Sequence, residues 1–392
     1  MRHTSRLFIL LGTLFTASGY GATFLISAWF RTQGGSDIDA GNTLSMALVG
    51  TLLGVPLVGW CAGKIDAARL AAVAALILAT GYLLLASLHG DLQILPQVAV
   101  LLTGLGWGMF YLAAPMALSQ RLTDAQRGAG FIRFSAFQMT GICGSPVLLS
   151  ALVPALGLSI QHTFFVVSAA GVLAALLLGG FALREPQTEP LRALCPWVKK
   201  LPALATTPAL RPVIMVGLGG AVFSGMMSFQ DSLTTGTSVH AGTFFIVHAA
   251  TAVVARLLLA QQLLLWPRRP LMAGLLGCLI AGLLCMLGLG LHPVFQTASA
   301  MLTGAGYGLL YPVIQTWAVN DSAPENRHAA LTWFVVAYFV GIFGFPAFGG
   351  WLLVSTGKTG FIAVLAALAT LEFAVALFRQ GPVAVVARNS AE

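Results

Sequence analysis

The sequence predicts an all-α polytopic membrane protein that crosses the bilayer twelve times. Two observations lead to this fold class: the composition is too apolar for a soluble domain, and the apolar residues fall into twelve long segments. Of the 392 residues, 58% are hydrophobic and 8% are charged, against roughly 25% charged in an ordinary soluble domain. The mean hydropathy is +0.89. This composition excludes a soluble enzyme, a nucleic-acid-binding protein and a disordered protein.

Each apolar segment is long enough to span the hydrocarbon core of a bilayer, which takes roughly 20 residues of helix. The first segment is longer than the apolar core of a signal peptide, so we expect it to be retained as a span. The spans, numbered 1 to 12 in chain order, cover approximately residues 7–30, 42–62, 70–88, 95–118, 129–151, 162–183, 212–233, 241–262, 271–290, 294–318, 329–353 and 359–378.

The basic residues predict the orientation of these spans. With the N-terminus placed in the cytoplasm, seventeen of the twenty Lys and Arg residues fall at the cytoplasmic side, and only Arg31 and Lys358 fall in loops on the other side. Such an excess of positive charge marks the cytoplasmic side of a membrane protein. We therefore expect both termini to be cytoplasmic. The compact termini and the absence of a targeting presequence favour the inner membrane of a bacterial cell. The same bias explains the basic pI without a nucleic-acid partner.

The polar residues give no sign of a catalytic centre. All five cysteines lie in spans, at a span end or in a cytoplasmic segment, which argues against a structural disulfide. Neither the Cys–His spacing of a zinc site nor a Walker phosphate-binding loop is present. We therefore expect no catalytic residues, no metal and no cofactor, and an energy source other than ATP.

The chain contains an internal repeat at an offset of 200 residues. Residues 102–108 read LTGLGWG and residues 302–308 read LTGAGYG. Over the ungapped register, 13 of 47 aligned positions are identical, and the matches include Tyr111 with Tyr311, Arg127 with Arg327 and Pro146 with Pro346. Tandem six-helix units of this kind are common in secondary transporters. We predict an N-terminal bundle at 1–183, a cytoplasmic linker at 184–211 and a C-terminal bundle at 212–392, related by a pseudo-two-fold axis.

Repeated glycines and prolines suggest how the spans pack. Gly104, Gly106 and Gly108 remove the side chains from one stretch of span 4, so a neighbouring backbone can approach closely. Pro146 and Pro346 occupy equivalent places in spans 5 and 11, and a proline bends a helix because it lacks one hydrogen bond. Matched bends in both halves would suit a rocking motion, although plain helix packing accounts for each glycine equally well.

With these features the sequence resembles the major facilitator superfamily (MFS) of transporters over its whole length. The family's signature follows span 2, where Gly59, Lys64 and Arg69 fit it and Asp66 stands in place of a glycine. Arg256 and the residues after it resemble the matching loop of the second half. The resemblance implies the MFS fold and alternating access, with a solute site between the halves lined by spans 1, 2, 4, 5, 7, 8, 10 and 11.

One motif points toward exporters, although the arginine that exporters often carry in span 4 is replaced by Val100. The segment Gly141–Pro146 is similar to a span 5 motif typical of antiporting exporters. This implies a monomeric, proton-coupled transporter that exports a small organic compound such as a drug, a metabolite or a siderophore-like chelator. An importer or uniporter of a small metabolite remains the alternative, and a sensor with a transporter's shape is a further one.

Aromatic and amide side chains at similar depth in both halves are the candidates for the solute cavity. Their stacking faces and hydrogen-bonding groups suit a moderately sized, mainly apolar or zwitterionic compound. They are Tyr20, Trp107, Tyr111, Gln138, Tyr307, Tyr311, Gln315 and Tyr338.

Ionisable groups inside the spans are candidates for proton coupling, because charge in hydrocarbon is costly. Asp231 lies roughly 28 Å along span 7, close to the outer mouth, and is either a proton carrier or an interfacial acid in contact with water. His248, in span 8, either exchanges protons with Asp231 or is a neutral histidine bonded to a backbone carbonyl. Their pairing is a hypothesis.

Three further charges in or near the spans allow two interpretations each. Arg256 in span 8 either binds an anionic group of the solute or extends to the cytoplasmic surface and holds the loop that follows. Arg133, early in span 5, has the same ambiguity. Glu372 in span 12 lies outside the expected cavity, where a structural partner or extension to the surface accounts for it better than a role in transport.

Overall fold

The computed structural model describes residues 3–61, 64–88, 94–122, 124–157, 159–185, 206–263, 266–322 and 327–377, and all regular structure in them is helical. The predicted all-α membrane fold is confirmed. The helices are His3–Ala22, Thr23–Leu25 and Ile26–Thr32 (span 1), Asp37–Cys61 (span 2), Ala67–Ser87 (span 3), Ile94–Ser119 (span 4), Asp124–Leu156 (span 5), Ile160–Arg184 (span 6), Leu210–Ser228 and Gln230–Thr234 (span 7), Ala241–Leu263 (span 8), Arg268–Cys285 and Met286–Gly288 (span 9), Val294–Asn320 (span 10) and Arg327–Leu377 (spans 11 and 12).

In the described part of the chain, nine helices are long and apolar enough to cross a membrane, and Ala241–Arg256 is a shorter apolar helix. Spans 11 and 12 are separated by a sharp break at Gly357, whose φ is +71°. Glycine adopts this left-handed conformation without the steric penalty of a side chain. Lys358 follows the break and donates a hydrogen bond to the carbonyl of Thr235. This bond connects the turn between spans 11 and 12 to the end of span 7.

The order of the helices defines two faces of the bundle. Odd-numbered spans begin and even-numbered spans end at the side where the chain starts, which we call the N-terminal face. The other side is the opposite face. The sequence predicts that the N-terminal face is cytoplasmic.

Glycines allow span 4 to pack closely against two neighbours. A Cβ atom at Gly104 would lie 2.2 Å from the carbonyl oxygen of Ala47 in span 2. A Cβ atom at Gly106 would lie 2.5 Å from the carbonyl oxygen of Ala74 in span 3. Both distances are far inside van der Waals contact, so these positions require glycine. The predicted close approach of neighbouring backbones is confirmed.

Span 10 packs on spans 8 and 9 in the same way. A Cβ atom at Gly304 would lie 2.7 Å from the carbonyl oxygen of His248, and one at Gly306 would lie 2.7 Å from that of Leu275. The repeat in the sequence is therefore also a repeat of helix contacts. These contacts identify the residue in one half that corresponds to a given residue in the other, even where the sequences differ.

The second part of the repeat joins span 5 to span 1 and span 11 to span 7. A Cβ atom at Gly141 would lie 2.3 Å from the carbonyl oxygen of Leu14, and one at Gly341 would lie 2.1 Å from that of Gly217. The predicted boundaries between the bundles at 183 and 212 stay a prediction, because residues 186–205 of the linker lie outside the described residues.

An ion pair ties the helix ends of the first half together at the N-terminal face. Arg121, after span 4, contacts the carboxylate of Asp66 at 2.7 Å. Its Nε donates to the carbonyl of Glu185 at 2.5 Å, and its Nη1 donates to that of Ala117 at 3.0 Å. Asp66 also caps span 3, because its side chain accepts from the backbone N–H of Ala68.

The second half carries the same ion pair with the charges reversed. Arg268 at the start of span 9 contacts Asp321 after span 10 at 2.8 Å. Under the repeat offset, Asp321 occupies the position of Arg121. Both halves therefore have an ion pair at the equivalent place. In the first half the acid precedes the odd-numbered span and the arginine follows the even-numbered one, and in the second half these two charges are exchanged.

Candidate functional site: a cavity between the two halves

A cavity of about 430 Å³ lies between the halves. Spans 4, 5, 7, 8, 10 and 11 contribute to its wall. Four of its lining residues are exposed: Ser135, Ala136 and Thr140 of span 5 and Val253 of span 8. The deeper wall is aromatic and contains Trp107, Tyr111, Phe223, Tyr307, Tyr311 and Tyr338.

Two stacked ring pairs occupy equivalent places in the two halves, at or directly behind this wall. Tyr20 of span 1 stacks on Trp107 of span 4, with ring centroids 4.6 Å apart and planes 16° apart. Phe223 of span 7 stacks on Tyr307 of span 10, at 4.5 Å and 9°. Trp107 and Tyr307 are equivalent under the repeat, and so are spans 1 and 7. Each half therefore contributes one stacked pair.

A tyrosine pair links the halves one helical turn closer to the N-terminal face than these stacks. The hydroxyl oxygens of Tyr111 and Tyr311 lie 3.0 Å apart, and the two residues are equivalent under the offset of 200. Tyr338 packs edge-on against Tyr311, with ring centroids 5.1 Å apart. Tyr111 contacts Phe339 in the same manner, at 5.1 Å. Spans 4 and 10 therefore contact each other through the tyrosine that each contributes at the equivalent position.

The histidine and the arginine of the cavity both come from the second half. His248 is buried, and its Nδ1 lies 3.1 Å from the hydroxyl of Thr303. Arg256 lies two turns further along span 8 and also lines the cavity. The helix contacts pair these two residues with Ala47 and Val55 of span 2. The first half therefore has apolar residues where the second half has a histidine and an arginine.

A proline-freed carbonyl fixes the side chain of Arg256. Its Nε donates to the carbonyl of Gly308 in span 10 at 2.6 Å. In an α-helix that carbonyl would accept from the N–H of residue 312, but residue 312 is Pro312 and has no N–H. Arg256 therefore satisfies an acceptor that the helix leaves open.

Spans 2 and 11 close the opposite face through direct backbone contact. A Cβ atom at Gly41 would lie 2.1 Å from the carbonyl oxygen of Pro346. One at Gly350 would lie 2.1 Å from that of Asp37. The hydroxyl of Ser45 accepts from the backbone N–H of Ala347 at 3.0 Å. No side chain larger than hydrogen fits at either glycine in this closed arrangement.

Asp37 connects three spans at the same face. Its Oδ1 accepts hydrogen bonds from the hydroxyl of Ser27 in span 1 at 2.9 Å and from that of Ser232 in span 7 at 2.6 Å. One turn away, Arg31 and Asp231 form an ion pair at 3.6 Å. These contacts join the first half to the second, so the opposite face is held by polar groups as well as by close packing.

An aromatic layer separates the cavity from a vestibule of about 440 Å³ near the opposite face. Phe24 and Phe245 line the vestibule, while Phe223 and His248 line the cavity, and all four meet in the layer between the two. Phe24 contacts Phe223 edge-on, with ring centroids 5.6 Å apart. The layer therefore contains residues of both halves.

Comparison with known proteins identifies the family. Residues 8–291 match the sequence family described as the Major Facilitator Superfamily. The chain belongs to this superfamily. It is therefore a multi-pass membrane protein and a secondary transporter, as the sequence predicted. No curated protein matches the sequence significantly.

Solved MFS transporters share the fold of this chain at low sequence identity. The nucleoside transporter NupG is 17% identical, with 96% of this chain and 98% of that chain aligned and a TM-score of 0.74. The peptide transporter POT in complex with sulfate is 14% identical, with 95% and 93% aligned and a TM-score of 0.75. A bacterial homologue of the human lysosomal transporter Spinster is 14% identical, with 98% and 100% aligned and a TM-score of 0.68.

Six of the eight predicted cavity residues of this MFS protein line the cavity: Trp107, Tyr111, Gln138, Tyr307, Tyr311 and Tyr338. Tyr20 lies behind the wall, buried under Trp107. Gln315 is half-buried one turn beyond Tyr311 and is not among the lining residues. The solute-binding role of the whole set stays a prediction.

The two predicted coupling residues lie in separate chambers. Asp231 lines the vestibule and pairs with Arg31, whereas His248 lines the cavity and bonds to Thr303. The hydrogen-bond partner of His248 is thus a hydroxyl and not a backbone carbonyl. Their proposed pairing has no contact to support it among the described residues, and their role in coupling stays a prediction.

The predicted loop residues after span 2 divide into bonded and exposed positions. Asp66 forms the ion pair with Arg121. Lys64 lies over the ring of Trp60 at 4.9 Å, whereas Arg69 is exposed and Gly59 is half-buried at the end of span 2. Although Asp66 departs from the family signature, it supplies the acid of a charge network at this face.

Glu372 does not fit either interpretation offered for it. It is fully buried, so it does not extend to the surface, and neither carboxylate oxygen has a hydrogen-bond partner among the described residues. A Cβ atom at Gly219 of span 7 would lie 3.1 Å from both oxygens. Arg133, by contrast, is exposed and does not line the cavity.

Several residues of the site were not predicted. Phe223 replaces the tyrosine of its counterpart Tyr20, so a search for polar aromatics passes over it. Asp37 lies just before predicted span 2, so it was not among the ionisable groups considered inside the spans. Pro312 was not linked to Arg256, although counting four residues back from each proline locates every carbonyl that a proline frees.

Proposed function

We propose that this MFS protein exports a small organic solute from the cytoplasm in exchange for protons. The observation that carries the proposal is the cavity of about 430 Å³, which is bounded by both halves and separated from the opposite face by an aromatic layer. Its size and mainly aromatic wall are typical of sites for small organic molecules. In this proposal the N-terminal face is cytoplasmic and the protein acts as a monomer.

Alternating access requires that the contacts at the opposite face open. Gly41 and Gly350 bring spans 2 and 11 together without interlocking side chains. Asp37 and the Arg31–Asp231 pair hold the same face through groups that water can solvate once they separate. Such a closure is tight and reversible, which supports a gate at this position.

Proton coupling is assigned to Asp231 and His248. Asp231 is partly exposed to the vestibule and forms an ion pair across the halves, so its protonation would weaken the closed face. His248 lies on the cavity side of the aromatic layer. Asp231 and His248 therefore provide one proton acceptor on each side of the aromatic layer, which must open during transport.

The deciding measurement begins with identification of the solute. Cells that lack the protein should retain a solute that overexpressing cells release into the medium, as measured by untargeted comparison of metabolites. Everted vesicles that contain the protein should then accumulate that solute when their interior is acidified, and a protonophore should abolish the accumulation. The variant with both Asp231→Asn and His248→Ala should lose this proton-driven accumulation.

The direction of the response separates export from its alternatives. Loss of preloaded solute from everted vesicles upon interior acidification would indicate an importer coupled to protons. Uptake that is independent of the proton gradient would indicate a uniporter. If neither the cells nor the medium change their solutes, the proposal is wrong.

A further inference from the structure

We infer that Arg256 binds the anionic group of the transported solute, which therefore combines a carboxylate or similar anion with an aromatic or otherwise apolar body. This inference rests on the proposed transport of a small organic solute and adds its chemical class.

Arg256 is the only charged side chain among the described residues that line the cavity. Neither acid described inside the second-half spans forms an ion pair with it: Asp231 lines the separate vestibule and is paired with Arg31, and Glu372 is buried beside Gly219 of span 7. A guanidinium between membrane helices without a carboxylate partner attracts an anion, because the surrounding apolar wall screens the charge far less than water does.

A hydrogen bond also fixes the orientation of the Arg256 guanidinium. Its bond to the carbonyl of Gly308, freed by Pro312, uses one of its five N–H donors. That is the one hydrogen bond of Arg256 among the described residues, so four donors remain for a ligand. A guanidinium fixed through Nε presents its other edge for bidentate binding of a carboxylate. This geometry argues against a side chain that merely extends to the membrane surface.

The rest of the cavity suits the body of such a solute. The faces of Trp107, Phe223 and Tyr307 supply an apolar wall. The indole Nε1 of Trp107 and the hydroxyl of Tyr307 are buried and lack hydrogen-bond partners among the described residues. These two atoms are closed to the cavity in this conformation, whereas the amide of Gln138 lines the cavity and leaves hydrogen-bonding capacity for neutral polar groups on the solute. The site therefore favours an amphipathic anion over a cation or a fully polar sugar.

Three probes with the same ring and different charge test the inference: phenylacetate, phenylacetamide and phenethylamine. Binding is measured as the concentration dependence of thermal stabilisation of the purified protein in detergent. Phenylacetate should bind most tightly. Arg256→Gln should weaken its binding about ten- to one-hundred-fold, the equivalent of one charge-assisted hydrogen-bonded contact, and should leave binding of the amide within about twofold.

Two further variants control for unfolding and for net charge. Arg256→Lys keeps the positive charge but cannot bind a carboxylate through two parallel N–H groups, so phenylacetate should bind with intermediate affinity. Arg133→Gln removes an exposed arginine from span 5 and should match the unmodified protein. An equal response to all three probes, or an unchanged preference for the acid in Arg256→Gln, would overturn the inference.

The solutes found by the metabolite comparison give a separate readout. Those that cells lacking the protein retain should be organic anions, and cells with Arg256→Gln should retain the same compounds. Retention of neutral or cationic solutes alone would leave the transport proposal standing and overturn the assignment of Arg256. If deletion changes no solute at all, the transport proposal fails and this inference falls with it.

Discussion

Exchange of the charges in the Asp66–Arg121 ion pair tests whether each half needs the pair itself or the particular residues. The second half already contains the reversed arrangement, Arg268 with Asp321. We therefore compare Asp66→Arg, Arg121→Asp and the double variant. The same three changes at the Arg268–Asp321 pair serve as the matched control.

The expected magnitudes follow from the burial of the two pairs. The side chains of Arg121 and Asp66 are 5% and 13% exposed. Removing one partner from a buried pair leaves an uncompensated charge and costs about 3–5 kcal/mol. The side chains of Arg268 and Asp321 are 50% and 23% exposed, and a pair as solvated as this contributes only ~0.2–1 kcal/mol.

The double variant at Asp66 and Arg121 should recover at least ~2 kcal/mol of the summed single losses, because opposite charges face each other again. Recovery should be incomplete. The exchange removes the cap on Ala68 and the bonds from Arg121 to the carbonyls of Glu185 and Ala117, each with a net contribution of ~1 kcal/mol or more.

Stability is measured as the free energy of unfolding in mixed detergent micelles, followed by tryptophan fluorescence. A double-mutant cycle then isolates the coupling between the two side chains. Strictly additive losses at Asp66 and Arg121 would refute the reasoning, since they would show that the capping and carbonyl contacts, and not the ion pair, stabilise this face. Equal losses at the exposed control pair would refute the dependence on burial.

Three further substitutions have defined outcomes. Gly41→Ala should hold the opposite face open, because its Cβ would lie 2.1 Å from the Pro346 carbonyl oxygen. The distance between spin labels on spans 2 and 11 should therefore increase. Gly144→Ala is the control and should leave that distance unchanged, because a Cβ atom at Gly144 would meet nothing within 4 Å. Asp231→Asn should destabilise the protein by less than ~1 kcal/mol in thermal unfolding, because its ion pair is exposed. Glu372→Gln should retain native stability while Glu372→Lys loses several kcal/mol, because an unpaired buried charge is costly; equal stability of these two would contradict this account.

The sequence was sufficient for the fold, because membrane insertion depends on properties that a single chain displays directly. Hydropathy located the spans, and the glycines of LTGLGWG indicated close packing that Gly104 and Gly106 confirm. The break at Gly357 lies between predicted spans 11 and 12. These features are local, so no knowledge of distant contacts was needed to predict them.

The arrangement of the site depends on contacts between distant spans, which the sequence does not display. The offset of 200 pairs Trp107 with Tyr307, but spans 1 and 7 have a different register. There Tyr20 corresponds to Phe223, as the contacts of Gly141 and Gly341 and the equivalent stacks both indicate. The role of Asp37 requires Ser232, a residue 195 positions away.

The contact between Tyr111 and Tyr311 constrains how the two halves share the solute. Equivalent residues that touch each other must lie at the axis relating the halves, so the tyrosine pair marks that axis. Arg256 lies off the axis and is bound to Gly308 of its own half, so it moves with the second half when the halves rock. A solute anchored at Arg256 therefore keeps its ionic contact in every state, and the contacts that change are those to Trp107 and Gln138 of the first half. Substitutions at these two residues should consequently alter the rate of transport more than the affinity for the anion.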